Sequence, residues 1–183
     1  LWLDRSRGMA RCQRTKIGVA HMLAWPAHPT YHRRMDFHYR YDVNADPDEL
    51  WALVSDIPTV GMCIPGASDV RADGDASYAG MVKVRVGPIS LGLNGKLTVD
   101  EIDDAGRQIS LTGEGADRKV PGNVRVRIKM TVEPADAGNS VLVVDSEANI
   151  MGKLGEFGQG IIRRKAEGIL KDFGENLAKK VAR

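Results

Sequence analysis

The sequence predicts an α+β fold, a curved antiparallel sheet of about seven strands wrapped around one long C-terminal helix, with short helices after the first strand. Three observations lead there. Short β-patterned segments follow one another between residues 67 and 151 with turn signals between them and no helical crossover, which excludes a parallel sheet. Residues 159–183 carry apolar side chains at three- and four-residue intervals. A proline-headed, acidic segment after the first strand reads as a helix start.

The elements follow in chain order. In residues 36–43, DFHYRYDV alternates in strand fashion, with Phe37, Tyr39, Tyr41 and Val43 on one side and His38 on the other. In ADPDELWALVSD, Asp46 suits the N-cap, Pro47 the first helical position and the acids the first turn, so a short helix is expected to about Val54. IPTVGMCIPG, residues 57–66, has two prolines and two glycines and breaks into turns with at most one further helical turn. Strands are expected over residues 67–72, 78–86, 89–102, 107–115, 123–133 and 140–151.

Alternation assigns the two faces of the sheet. Val82, Val84 and Val86 share a side, as do Leu91, Leu93, Leu97 and Val99, and Val124, Val126, Ile128, Met130 and Val132. Lys83, Arg85, Arg125, Arg127 and Lys129 stand opposite, with Asp145 and Glu147 on the last strand as cross-strand partners. One face is therefore apolar and the other charged. The terminal helix, about 36 Å long, presents Ile162, Ala166, Ile169, Phe173 and Leu177, with Leu170 beside them, and can cover the apolar face.

At 183 residues with 43% hydrophobic side chains, the chain is long enough for one domain with a substantial core. The net charge of +2 is unevenly spread, because residues 1–34 hold seven Lys or Arg against the single acid Asp4. The remainder is mildly acidic, which gives no footprint for nucleic acid. Residues 1–34 are expected to be a basic extension that adds little to the fold, with Met35 as the natural start and residues 35–183 as the domain. Two cysteines, Cys12 and Cys63, make neither a disulfide framework nor a thiolate metal site. The longest apolar runs fall far short of the roughly 18–20 residues of a membrane span.

Glycines at 152, 155, 158 and 160 lie between the last strand and the helix. A phosphate-binding loop also joins strand to helix, but this spacing is not G-x-G-x-x-G, no later strand completes a βαβ unit, and no Gly-Lys-Ser/Thr is present. The glycines instead let the chain turn off the strand and the helix backbone approach the sheet. Gly168 and Gly174 lie within the helix, each costing about 1 kcal/mol against alanine. A helix so built also suits a lid that shifts to admit a ligand.

No catalytic constellation stands out. His38 is the only histidine after residue 34 and is expected on the solvated face, Cys63 reads as a buried structural thiol, and Asp103 and Asp104 belong to a turn without further cation ligands. Function is expected in the apolar set instead, in a cavity between sheet and helix lined by Tyr78, Val82, Leu93, Leu97, Leu111, Val126, Ile128, Met130, Ile162, Ala166 and Phe173. Low aromatic content and the strand glycines Gly80, Gly95 and Gly113 are expected to leave room in it. Arg163, Arg164, Lys165, Lys171, Lys179, Lys180 and Arg183 are expected to make the helix cationic on its exposed side, diluted by Glu167, Asp172 and Glu175.

Taken with the order of elements, DPDELWALVSD, CIPGA (63–67), YAGMVKVRVGPISLGLNGKLTV (78–99), LTGEGAD (111–117) and GKLGEFGQGII (152–162) resemble the CoxG family, named for a carbon monoxide dehydrogenase subunit, of the START-like, Bet v 1-like helix-grip (SRPBCC) superfamily. The resemblance covers residues 35 to about 182. It implies a non-catalytic accessory protein of molybdenum-containing, carbon monoxide dehydrogenase-type hydroxylases, linked to their maturation or membrane recruitment. It also implies a lipophilic, quinone- or lipid-like ligand in the cavity and no other cofactor. The implied location is the cytoplasm, with peripheral contact at the inner membrane face through the basic helix. Some relatives carry a further Pro-rich linker and hydrophobic segment, which this sequence, ending at Arg183, does not contain. Two other readings stay open. One is a polyketide cyclase- or aromatase-like enzyme, for which Tyr78, Thr112 and Asn149 are a thin polar set; the other is a protein adapter with a filled core.

Overall fold

The computed structural model describes residues 33–181, so the expectations for the leader lie almost wholly outside the described residues. Strand β1 (Arg33–Val43) begins two residues before Met35, where Arg33 pairs with Ile150. Helices α1 (Pro47–Ser55) and α2 (Ile57–Gly61) follow, then β2 (Ala67–Ala72), β3 (Ser77–Val86), β4 (Ile89–Asp103), β5 (Gln108–Asp117), β6 (Gly122–Pro134) and β7 (Ser140–Gly152), and finally α3 (Gln159–Val181). Short 3₁₀ turns at Asp136–Gly138 and Lys153–Phe157 precede β7 and α3. Among the described residues no helix is long and apolar enough to cross a membrane.

The seven strands form one antiparallel sheet in the order β1-β7-β6-β5-β4-β3-β2. Consecutive strands from β2 to β7 pair as hairpins, while β1, separated from β2 by two helices, closes against β7 instead. The expected antiparallel sheet, long terminal helix and short helices after the first strand are all present. Register shifts between Ser68 and Arg71 and between Val99 and Glu101 are β-bulges, which increase local twist and help the sheet curl around α3. The helix has 23 residues and is about 34 Å long.

Local chemistry fixes the ends of these elements. Asp46 Oδ1 accepts the Asp48 N–H at 2.8 Å and Pro47 occupies the first turn of α1, the capping expected from the sequence. Buried Ser140 donates its hydroxyl to the Ala45 carbonyl at 2.6 Å, tying the start of β7 to the β1–α1 connection. On the charged face the register sets Arg127 opposite Glu147 and Lys129 opposite Asp145 as alternation predicts. The charge pairs of those acids go instead to the β1 side, Glu147 to Arg34 at 3.2 Å and Asp145 to His38 at 2.6 Å, while Arg125 turns to Glu114 at 3.3 Å. Exposed pairs of this kind contribute about 0–1 kcal/mol each, so they mark the solvated face more than they stabilise it.

The buried core is divided in two. The larger cluster gathers Leu50, Val54, Ile57 and Val60 of α1 and α2, Ile109, Met130 and Leu142 of the sheet, and Phe173 and Leu177 of α3. The smaller gathers Met35, Phe37, Val86, Leu91 and Ile150 of the sheet with Leu154 and Ile162.

Candidate functional site: an apolar cavity between sheet and helix

Between the two clusters α3 crosses the sheet without filling the space beneath it, and a cavity of about 310 Å³ remains. That is the lower end of the range for small-molecule sites. Its floor is the apolar face of the sheet, its roof is the α3 stripe Ile162, Lys165, Ala166, Ile169, Leu170 and Phe173, and α2 closes one flank with Ile57, Val60 and Gly61, joined by Ile64 of the loop that follows. Residues 165–170 are only half-buried, in contrast to Ile162 before them and Phe173, Gly174 and Leu177 after them. The helix is thus seated at both ends and bridges a gap in the middle.

The C-terminal seat is built around Tyr41. Its hydroxyl donates to the Leu170 carbonyl at 2.7 Å, its ring stacks on Tyr39 with centroids 5.9 Å apart, and Phe173 meets it edge-on at 6.2 Å. Burial, and then the neighbouring Tyr39, push the Tyr41 phenol far above its ordinary pKa, so it stays a neutral donor. A Cβ at Gly174 would run into the Tyr41 ring, so glycine permits this contact. Asn176 adds a hydrogen bond from Nδ2 to the Cys63 carbonyl at 3.0 Å.

The other seat follows β7, where Gly152 (φ 71°) and Gly158 (φ 83°) adopt left-handed backbone that turns the chain into α3. Ile162 and Leu154 are buried there, and the Arg163 guanidinium lies 5.2 Å from the Phe37 ring centroid. Asp117, at the end of β5, accepts the Gly92 N–H on one oxygen and the Lys119 and Val120 N–H groups on the other, at 2.6, 2.6 and 3.0 Å. Those backbone donors hold its carboxyl below the usual range.

Of the expected lining residues, Leu93, Leu97, Leu111, Val126, Ile128, Met130, Ile162, Ala166 and Phe173 are in the cavity wall. Tyr78 and Val82 are not. Tyr78, paired with Leu97, packs on the larger core cluster, and Val82 is paired with Ala67 of β2, while Val84 and Val86 farther along the same strand are in the wall. The strand glycines do not open the cavity either. Val126 and Leu97 fold over Gly113, leaving no space for a Cβ, while Gly80 lies under Val70 and Gly95 against the Glu114 carbonyl. Gly160, expected to aid close approach, has nothing within 4 Å of a Cβ, and neither has Gly168; within α3 it is Gly174 that permits a close approach.

Lys165 is the largest departure. Grouped by sequence with the solvated basic residues, it belongs instead to the roof. The sequence also did not single out Met35, Phe37, Val144, Ser146, Ala148 and Ile150 as wall residues, although Phe37 carried the alternation that places it inside. The polar wall side chains are Ser146 and Lys165. Thr112 bonds to Asp100 and Asn149 to Glu147, and neither reaches the cavity. Cys63 is buried, and burial raises its thiol pKa against a smaller opposing effect of Lys180, the reverse of what a nucleophile needs. Asp103 and Asp104 are occupied by the Gly106 N–H and the Trp51 indole, and no metal-ligating cluster occurs among the described residues.

An apolar cavity held between an antiparallel sheet and a long terminal helix defines a helix-grip fold. The chain belongs to the carbon monoxide dehydrogenase CoxG family, whose model matches residues 40–182. No protein of curated function matches it. Among solved structures, it is similar to a conserved protein from Geobacillus kaustophilus, with a TM-score of 0.73 and 18% identity, covering 81% of this chain and 95% of that one. A START superfamily protein from Mycobacterium smegmatis aligns with a TM-score of 0.60 and 13% identity over 80% of this chain and 97% of its own. The Zhui aromatase/cyclase from Streptomyces sp. R1128 aligns with a TM-score of 0.58 and 14% identity over 84% and 95%. At these identities the likeness is one of fold.

Proposed function

We propose that this chain is a non-catalytic carrier that holds a lipophilic, quinone- or lipid-like molecule between sheet and helix. In this reading it assists a carbon monoxide dehydrogenase-type molybdenum hydroxylase in the cytoplasm, in maturation or in recruitment to the membrane, with the basic face of α3 as the peripheral contact. The observation that carries it is the cavity of about 310 Å³ with an almost wholly apolar wall. Such a wall favours an apolar guest through burial, about 25 cal/mol per Å² of apolar surface removed from water. Membership of the CoxG family supports the choice of partner enzyme. A cyclase needs acid and base groups converging on its substrate, and Ser146 and Lys165 are a poor set for that work. An adapter with a filled core needs no cavity.

Native mass spectrometry of the purified protein, followed by organic extraction, tests the carrier. The expected outcome is a stoichiometric lipophilic molecule, or uptake of added decylubiquinone. An unchanged apo mass under both conditions would sink the carrier and favour the adapter. Ala166→Phe, which fills the roof of the cavity, is expected to abolish uptake while the protein still melts cooperatively.

A further inference from the structure

Lys165 stands three residues after Ile162 and four before Ile169, on the α3 stripe that turns to the sheet. It forms part of the roof and is half-buried. Among the described residues the ion pairs along α3 are Arg163–Glu167 and Lys171–Glu175, and neither includes it. A lysine head offers three donors and no acceptor. Across the cavity, Ser146 sits on β7 between Phe37 of β1 and Ile128 of β6, the only other polar side chain in the wall among the described residues.

We propose that Lys165 is the head-group determinant of the cavity and that its ligand is an amphiphile. An apolar tail lies among side chains such as Leu93, Val126 and Ile150, and an oxygen acceptor, either a carboxylate or a quinone-type carbonyl, meets the Lys165 ammonium. This rests on the carrier reading and narrows it. Away from bulk water a hydrogen bond from an ammonium is stronger than one between neutral groups, and an acceptor head gains it whereas a plain hydrocarbon does not. A cationic head of the same length is repelled there. Long lysine stems also lie along apolar surface merely to reach solvent, and that is the competing account of the same position.

The test is displacement of the neutral apolar dye diphenylhexatriene by dodecanoate, decylubiquinone, 1-dodecanol and dodecylamine, in wild type, Lys165→Met, Lys165→Gln and Lys165→Arg. Wild type is expected to bind dodecanoate, decylubiquinone or both about tenfold more tightly than dodecanol, with dodecylamine weakest, as one charge-assisted hydrogen bond implies. K165M and K165Q are expected to erase that preference while still binding the dye, and K165R to keep it. Preference for dodecanoate alone assigns the head as an anion, and preference for decylubiquinone alone assigns a carbonyl. Dye binding with the same ligand order in wild type and K165M would overturn the assignment of Lys165 and leave the carrier standing. Failure of wild type to bind the dye or any of the four compounds would overturn both.

Discussion

The C-terminal half of α3 is sealed onto the sheet, whereas the N-terminal half spans a gap. Leu177 is 0% exposed, Gly174 touches the Tyr41 ring, and Tyr41 and Asn176 bond α3 to β1 and to the loop after α2. Toward the other end Ile162 alone is buried among the first twelve helical residues, Gly160 and Gly168 have open space around them, and Ile161 is 54% exposed. The same helix therefore acts as core in one half and as cavity roof in the other. Stability and capacity for a guest are assigned to different stretches of one element.

Substitutions in the two halves should accordingly differ in sign as well as size. Leu177→Ala is expected to cost about 2–5 kcal/mol in urea unfolding, because the sealed end cannot collapse around a fully buried void. A loss below about 1 kcal/mol would show that the end is not sealed. Gly174→Ala adds one methyl group against a ring held by stacking and a hydrogen bond, and is expected to destabilise by about 1–3 kcal/mol. Tyr41→Phe removes the bond to the Leu170 carbonyl and should cost about 1 kcal/mol. Gly168→Ala, with nothing within 4 Å, should instead stabilise by roughly 0.5–1 kcal/mol through helix propensity. Equal effects at 168 and 174 would erase the comparison.

A pH experiment sharpens it at the open end. Because its folded pKa is depressed, Asp117 contributes stability that is complete above the ordinary carboxylate range and is lost as pH falls through its own lower value. The thermal midpoints of wild type and Asp117→Asn are expected to differ at neutral pH and to converge in acid. A constant gap across that window would assign the difference to something other than the carboxylate charge.

Strand order and faces are largely legible because period-two alternation states which side is buried, and hairpin turns leave few ways to pair neighbours. Val124, Val126 and Ile128 illustrate this, since a one-residue slip would turn all three to solvent. Pairing of β1 with β7 is not written in any local pattern, because it joins segments about a hundred residues apart and depends on how the sheet curls. The cavity wall is legible only as a set of inward candidates. Tyr78 and Val82 share the apolar face with Leu93, yet lateral position along that face excludes them from the wall. Lys165 escapes a sequence reading because periodicity ranks side chains by polarity, while a lysine stem on the margin of a stripe serves as apolar surface.

The sequence by itself determined the α+β class, the antiparallel pairing of consecutive strands, the capping of α1, the amphipathic terminal helix and the family signature. These depend on residues within a turn or two of each other, or on which face of an element is apolar. Only the tertiary structure decided where α3 touches the sheet and where it does not, which glycine permits contact, and that Lys165 faces the space left between. Those outcomes depend on distances between elements far apart in the chain, set by the curl of the sheet and the seat at Tyr41 and Gly174, and no local pattern encodes a distance of that kind.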